Sequence, residues 1–89
     1  VVTTFGVNSE FLRWRAEHPT GFIVNHEHQT SPRYLVLYHA SCPQFKDDGD
    51  FTRSYSKTCS DSISELRDWA ADHARSSELE PCKRCSQPA

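Results

Sequence analysis

"FIVNHEHQTSPRYLVLYHA", residues 22–40, decides the fold. Two runs rich in β-branched and aromatic residues, "FIVNHEH" and "YLVLYHA", flank the turn-rich "QTSPR", and that combination predicts an antiparallel hairpin. Upstream, Asn8 can cap a helix running from Ser9 to Glu17, with Phe11, Leu12 and Trp14 or Arg15 as its short apolar face. "HPTG" then ends it, because proline disfavours helical geometry at His18 and Gly21 supplies a permissive turn. Downstream, "KDDGD" reads as a loop. "FTRSYSKT" alternates Phe51, Arg53, Tyr55 and Lys57 against Thr52, Ser54, Ser56 and Thr58, which predicts a third, more polar strand.

The strongest helix signal is "CSDSISELRDWAADHARSSEL", residues 59–79. Ser62-x-x-Glu65 is a capping box, Asp61 complements the positive end of the helix, and Ile63, Leu66, Trp69, Ala70 and His73 recur at helical spacing. Ser76 and Ser77 loosen its end. The order α-β-β-β-α predicts an α+β fold, a small three-stranded antiparallel sheet with both helices on one side and a C-terminal zinc knuckle. No internal repeat or second domain is visible, so residues 1–89 are read as one domain. A start at Val1-Val2 suits an excised or accessory part of a larger protein.

At 89 residues, with 36% hydrophobic, the core is thin enough that a metal or disulfide staple is expected. No apolar run approaches the ~20 residues of a membrane span, and no charged start with an apolar stretch marks a secretory signal, so a cytoplasmic protein without a membrane partner is expected. Ten Lys and Arg against twelve Asp and Glu give a net charge of −2. A polyanion would therefore have to meet a local basic patch.

The staple is read from four cysteines, Cys42, Cys59, Cys82 and Cys85, each placed where a regular element stops. A C-x2-C pair points two thiolates at one ion across a tight turn, and two further ligands complete a tetrahedron around Zn²⁺. The binding energy would then become folding energy. His39, in His39-x2-Cys42, is the alternative to Cys59 as a ligand. Three other readings compete. A disulfide framework needs an oxidising compartment, a thioredoxin-like pair would sit at the start of a helix rather than after one, and the thiols could simply be free.

From "YHASCPQF" through "SDSISELRDWAADH" to "EPCKRC" the chain resembles the zinc-binding N-terminal domain of the Ada methylphosphotriester repair protein. That resemblance covers Tyr38 onward and implies a zinc-bound thiolate, here Cys42, able to accept an alkyl group from DNA. The family's first knuckle is ligand-x3-Cys, whereas Tyr38 stands four before Cys42 and His39 is one step out of register. The whole chain also resembles small actinobacterial zinc-knuckle modules that accompany nuclease and restriction-type proteins, through "HPTGFIVN", "LVLYHASC", "KTCSDS" and the terminal C-x2-C.

These readings predict a zinc-stabilised recognition module for DNA, including modified DNA, beside a partner protein or fused nuclease domain. Arg33, Lys46, Arg53, Lys57, Lys83 and Arg84 are its expected phosphate contacts, and Tyr55, set between cations, its base-stacking residue. The alternative is a structural or protein-interaction zinc module, since a closed Cys₄ site leaves no open metal position. No catalytic constellation is recognised and no enzyme is expected. In "NHEH" His26 and His28 share a strand face that Glu27 does not, so they form neither the H-E-x-x-H helix motif nor a hydrolytic site. "DDGD" lacks the spaced ligands of a Ca²⁺ loop.

Overall fold

A computed structural model describes residues 2–30, 34–42, 45, 51–53, 55–76 and 78–82. Its elements are β1 (Thr3–Phe5), α1 (Asn8–Glu17), β2 (Phe22–Glu27), β3 (Leu35–His39), β4 (Tyr55–Ser60), α2 (Ile63–His73) and β5 (Glu80–Pro81). The expected α+β class and hairpin are present: β2 and β3 pair antiparallel with Ile23 opposite Tyr38 and Asn25 opposite Val36. The sheet, however, is mixed and has five strands in the order β1-β4-β2-β3-β5. β5 runs parallel to β3, and a parallel strand requires a crossover, which α2 supplies. The three-stranded antiparallel expectation missed β1 and β5 because three and two residues are too short to show a period.

The two helices cover opposite faces, not one side. Phe11 of α1 packs with Ile23, Cys59, Cys42, Cys82, Ala40 and Phe45, whereas Leu66 and Ala70 of α2 pack with Val24 and Leu35. The alternation of β2 dictates this, since Ile23 and Val24 are both fully buried and point to opposite faces. Burying a strand on both faces needs a layer on each. On the α1 side, Phe11, Phe45 and Phe51 meet edge to face, with Phe45 and Phe51 centroids 5.1 Å apart and planes at 89°.

The capping expectations divide. Ser62 caps α2, its hydroxyl accepting from the Glu65 amide at 3.3 Å. The Glu65 carboxylate reaches Ser60 Oγ instead, at 2.6 Å, and Ser60 Oγ accepts from the Ser62 amide at 3.0 Å. The reciprocal half of the box is thus relayed through one hydroxyl. Asn8 does not cap α1, whose N-cap is Val7. Its Oδ1 accepts from the Phe51 amide at 2.8 Å, tying the helix start to the chain before β4. Gly21 is required for space: a Cβ there would lie 2.6 Å from Trp14 Cη2.

β4 differs most from its sequence reading. It is an interior strand between β1 and β2, and its α2-facing hydroxyls are buried and bonded. His26 Nδ1 lies 2.8 Å from the Glu27 carbonyl, which can only accept, so the proton sits on Nδ1. Nε2 then accepts from Thr58 Oγ1 at 2.7 Å, and Thr58 accepts from Thr4 Oγ1 at 2.8 Å. His28 repeats the arrangement, with Nε2–H donating to the Arg53 carbonyl at 3.1 Å and Nδ1 accepting from Ser56 Oγ at 2.7 Å. Glu27 is exposed, as the alternation requires. His26 is buried, 2% exposed under Trp69.

Burial lowers the pKa of His26; the Glu27 carbonyl opposes this, and Lys57 and His28 add to it. The unfolded chain therefore binds the proton first as pH falls below about 6.5, and stability contributed by neutral His26 is lost over that descent, levelling below the folded pKa. Urea melts between about pH 7.5 and 5 should show the parent more stable than His26→Gln at the upper end. The gap should narrow as pH falls; a constant gap would remove the linkage.

Candidate metal centre

The parallel pairing of β5 on β3 brings two of the four cysteines together. Cys42 lies in the turn after β3, its amide donating to the His39 carbonyl at 3.0 Å, and Cys82 directly follows β5, its amide donating to the Leu37 carbonyl at 2.8 Å. Their sulfurs stand 3.9 Å apart. Both are buried, at 0% and 5% exposure, among Ala40, Phe45 and Tyr38. A disulfide would hold the sulfurs at about 2.05 Å, so the pair is not a bridge. Two thiolates about 2.3 Å from one tetrahedral ion stand roughly 3.8 Å apart. Tyr38 beside them has its hydroxyl pushed up to about 12 by burial, then by Tyr34, Cys82 and Cys42.

Cys59 is not brought to this pair. It lies on β4 between Thr3 and Ile23, and β2 and β3 intervene before β5. Three strand spacings put about 14 Å between those backbones, beyond the reach of two cysteine side chains. Among the described residues no three His, Cys, Asp or Glu side chains converge to hold a metal. Cys85 lies outside the described residues. His39 pairs with Phe22 across the hairpin, its ring 5.3 Å from the phenyl. Phe22 packs on the α2 side, whereas Cys42 and Cys82 belong to the cluster on the α1 side.

The expected nucleic-acid contacts also separate. Lys57 is 3% exposed, its ammonium donating to Asn25 Oδ1 at 2.7 Å and to the Phe51 carbonyl, and lying 5.9 Å from the Phe11 ring centre. It satisfies an interior position and does not present a charge to solvent. Arg53 is exposed, and Tyr55 is 37% exposed with its ring 5.0 Å from Tyr34. Arg33, Lys46, Lys83 and Arg84 lie outside the described residues.

Sequence reasoning missed a clasp between the two helices. His18 Nδ1 meets Asp61 Oδ2 at 2.9 Å, and its ring stacks on Trp14 at 4.4 Å. The signal available was slight: a histidine just past one helix and an aspartate just before another. It also missed the charged face, Glu10, Arg13 and Glu17, that α1 sets beside β1. No protein-family model matches the chain, and no curated protein or solved structure is detectably similar. No helix among the described residues is long and apolar enough to cross a membrane.

Burial raises the pKa of Cys59, with Lys57 pulling the other way, so its reactive thiolate is scarce as well as enclosed. Iodoacetamide at about pH 8 should leave Cys59 unmodified in the folded chain and label it in urea, at least about a hundredfold faster. Peptide mass mapping checks this; rapid native labelling would place Cys59 outside the core.

Proposed function

We propose that the chain is a zinc-stapled recognition module, with Cys42, Cys82 and Cys85 as thiolate ligands. The observation that carries it is the 3.9 Å separation of Cys42 and Cys82 sulfurs, close to one edge of a zinc–thiolate tetrahedron. Cys85 follows Cys82 at the spacing that turns a second thiolate onto the same ion. The proposed set leaves out Cys59, since β4 and β5 are separated by β2 and β3. The metal would join the β3 turn to the tail after β5, where the two-residue strand has few backbone bonds of its own.

Zinc content and a chelator melt test this. The parent chain should hold about one zinc and lose several degrees of Tm on chelation. Cys42→Ser and Cys82→Ser should lose the metal, whereas Cys59→Ala and His39→Ala, at positions away from that pair, should keep it. A metal-free parent, or loss of zinc in Cys59→Ala with retention in Cys42→Ser, would overturn the assignment.

The ligand of the module is proposed to be DNA, met through exposed Arg53 and Tyr55, an aromatic beside a cation, together with Arg33, Lys46, Lys83 and Arg84. The burial of Lys57 favours the second reading, a zinc-stapled structural or protein-interaction module without nucleic-acid binding. Buried Cys42 lends no support to Ada-like alkyl transfer, since an acceptor thiolate must be reached by the phosphotriester. Fluorescence anisotropy with plain, methylated and phosphorothioate duplexes at about 50 mM salt separates the two. DNA recognition predicts binding that weakens about tenfold in Arg53→Glu/Tyr55→Ala; no binding to any duplex leaves the structural reading.

A further inference from the structure

The sheet edge opposite Cys42 and Cys82 carries a second feature, independent of any metal. β1 is the terminal strand, paired among the described residues with β4 alone. Beside it runs a groove of about 370 Å³, walled by Thr3, Thr4 and Phe5 on one side and by Glu10, Arg13, Trp14 and Glu17 of α1 on the other. Those four helix positions follow the i, i+3, i+4, i+7 spacing of one helix face, yet three of them are charged. An apolar core face would not read this way. No ion pair joins Glu10, Arg13 or Glu17 to another described residue.

An open strand edge invites another strand, and its charge pattern decides which. Along α1 the pattern is minus, plus, minus, with steps of about 4.5 and 6 Å. It is a palindrome. In a two-fold pairing of β1 with β1 of a second copy, the α1 helices would run antiparallel alongside each other, Arg13 opposite Arg13 and Glu10 opposite Glu17. Every match would be between like charges, so the pattern opposes self-association. An extended foreign segment carries same-face side chains every ~6.7 Å, near the helix steps, and a plus, minus, plus alternation meets each charge with its opposite.

We propose that the β1–α1 groove binds an extended peptide by strand addition, its face toward α1 reading basic-x-acidic-x-basic. Backbone bonds to the β1 edge supply the pairing, Trp14 supplies apolar contact at the groove wall, and the three charges set selectivity. Because the pattern is the same read in either direction, it selects composition over strand direction.

Two synthetic heptapeptides test this against the 89-residue chain: acetyl-TKVEVKT-amide and its charge-reversed form acetyl-TEVKVET-amide. Two-dimensional amide spectra report the site, and Trp14 fluorescence or peptide anisotropy the affinity. The first peptide should bind about tenfold more tightly than the second, shifting the amides of residues 3–5. Glu10→Arg/Arg13→Glu/Glu17→Arg, which alters groove-wall charges only, should invert the preference, and circular dichroism confirms that it folds. Equal affinity for both peptides, shifts elsewhere, no binding at millimolar peptide, or dimerisation of the parent through residues 3–5 would each overturn the proposal.

Discussion

From Ser56 to Ser60, β4 buries five consecutive residues, "SKTCS", none of them aliphatic. A strand so placed is stable only if each polar group inside it is bonded, because an unmade bond in the interior costs about 1–3 kcal/mol. The neighbours are chosen accordingly. Thr58 is taken by His26 and Thr4, Ser56 by His28, Ser60 by Glu65, and the Lys57 ammonium by Asn25 and the Phe51 carbonyl. These bonds reach β1, β2, the start of α2 and the chain before β4. Much of the architecture is therefore registered on one polar strand.

That arrangement explains why the two faces of the sheet have different characters. The α1 side holds the aromatic cluster, Cys42, Cys59 and Cys82, and the buried Lys57; the α2 side joins an aliphatic patch to a histidine–hydroxyl network. Lys57 shows the cost of placing a charge in such a setting, since its ammonium needs the Asn25 side-chain oxygen on β2 and the Phe51 carbonyl before β4, and lies over the Phe11 ring. Cys59, one register step from Lys57 on the same face, is a packing residue of that interior.

At the edges the logic reverses. β5 is two residues long, and its contribution is positional: parallel pairing with β3 sets Cys82 beside Cys42. β1 is three residues long, and the side of it that is unpaired among the described residues lies beside an alternating row of charges. Short edge strands offer few backbone groups for pairing, so the side chains beside them set what each end of the sheet can hold. One edge carries paired thiols and the other a charge-lined groove.

How much of this could be read from the residues follows from what pattern encodes. The hairpin was legible because β-branched runs flank a turn, and α2 because Ser62 and an apolar stripe announce it. β1 and β5 were not, since Thr-Thr-Phe and Glu-Pro carry no period. Lys57 and Tyr55 alternate on one strand face whether that face is wet or buried, so the exposed cationic strip expected from the sequence could not be distinguished from an interior one. The four cysteines were visible at element ends, but which thiols meet depends on strand order, a long-range property. The sequence by itself determined the helices, the hairpin and the α+β class, all set by local geometry and periodicity. Only the tertiary structure decided that the helices take opposite faces, that β4 lies inside, and that Cys82 meets Cys42 while two strands hold Cys59 away.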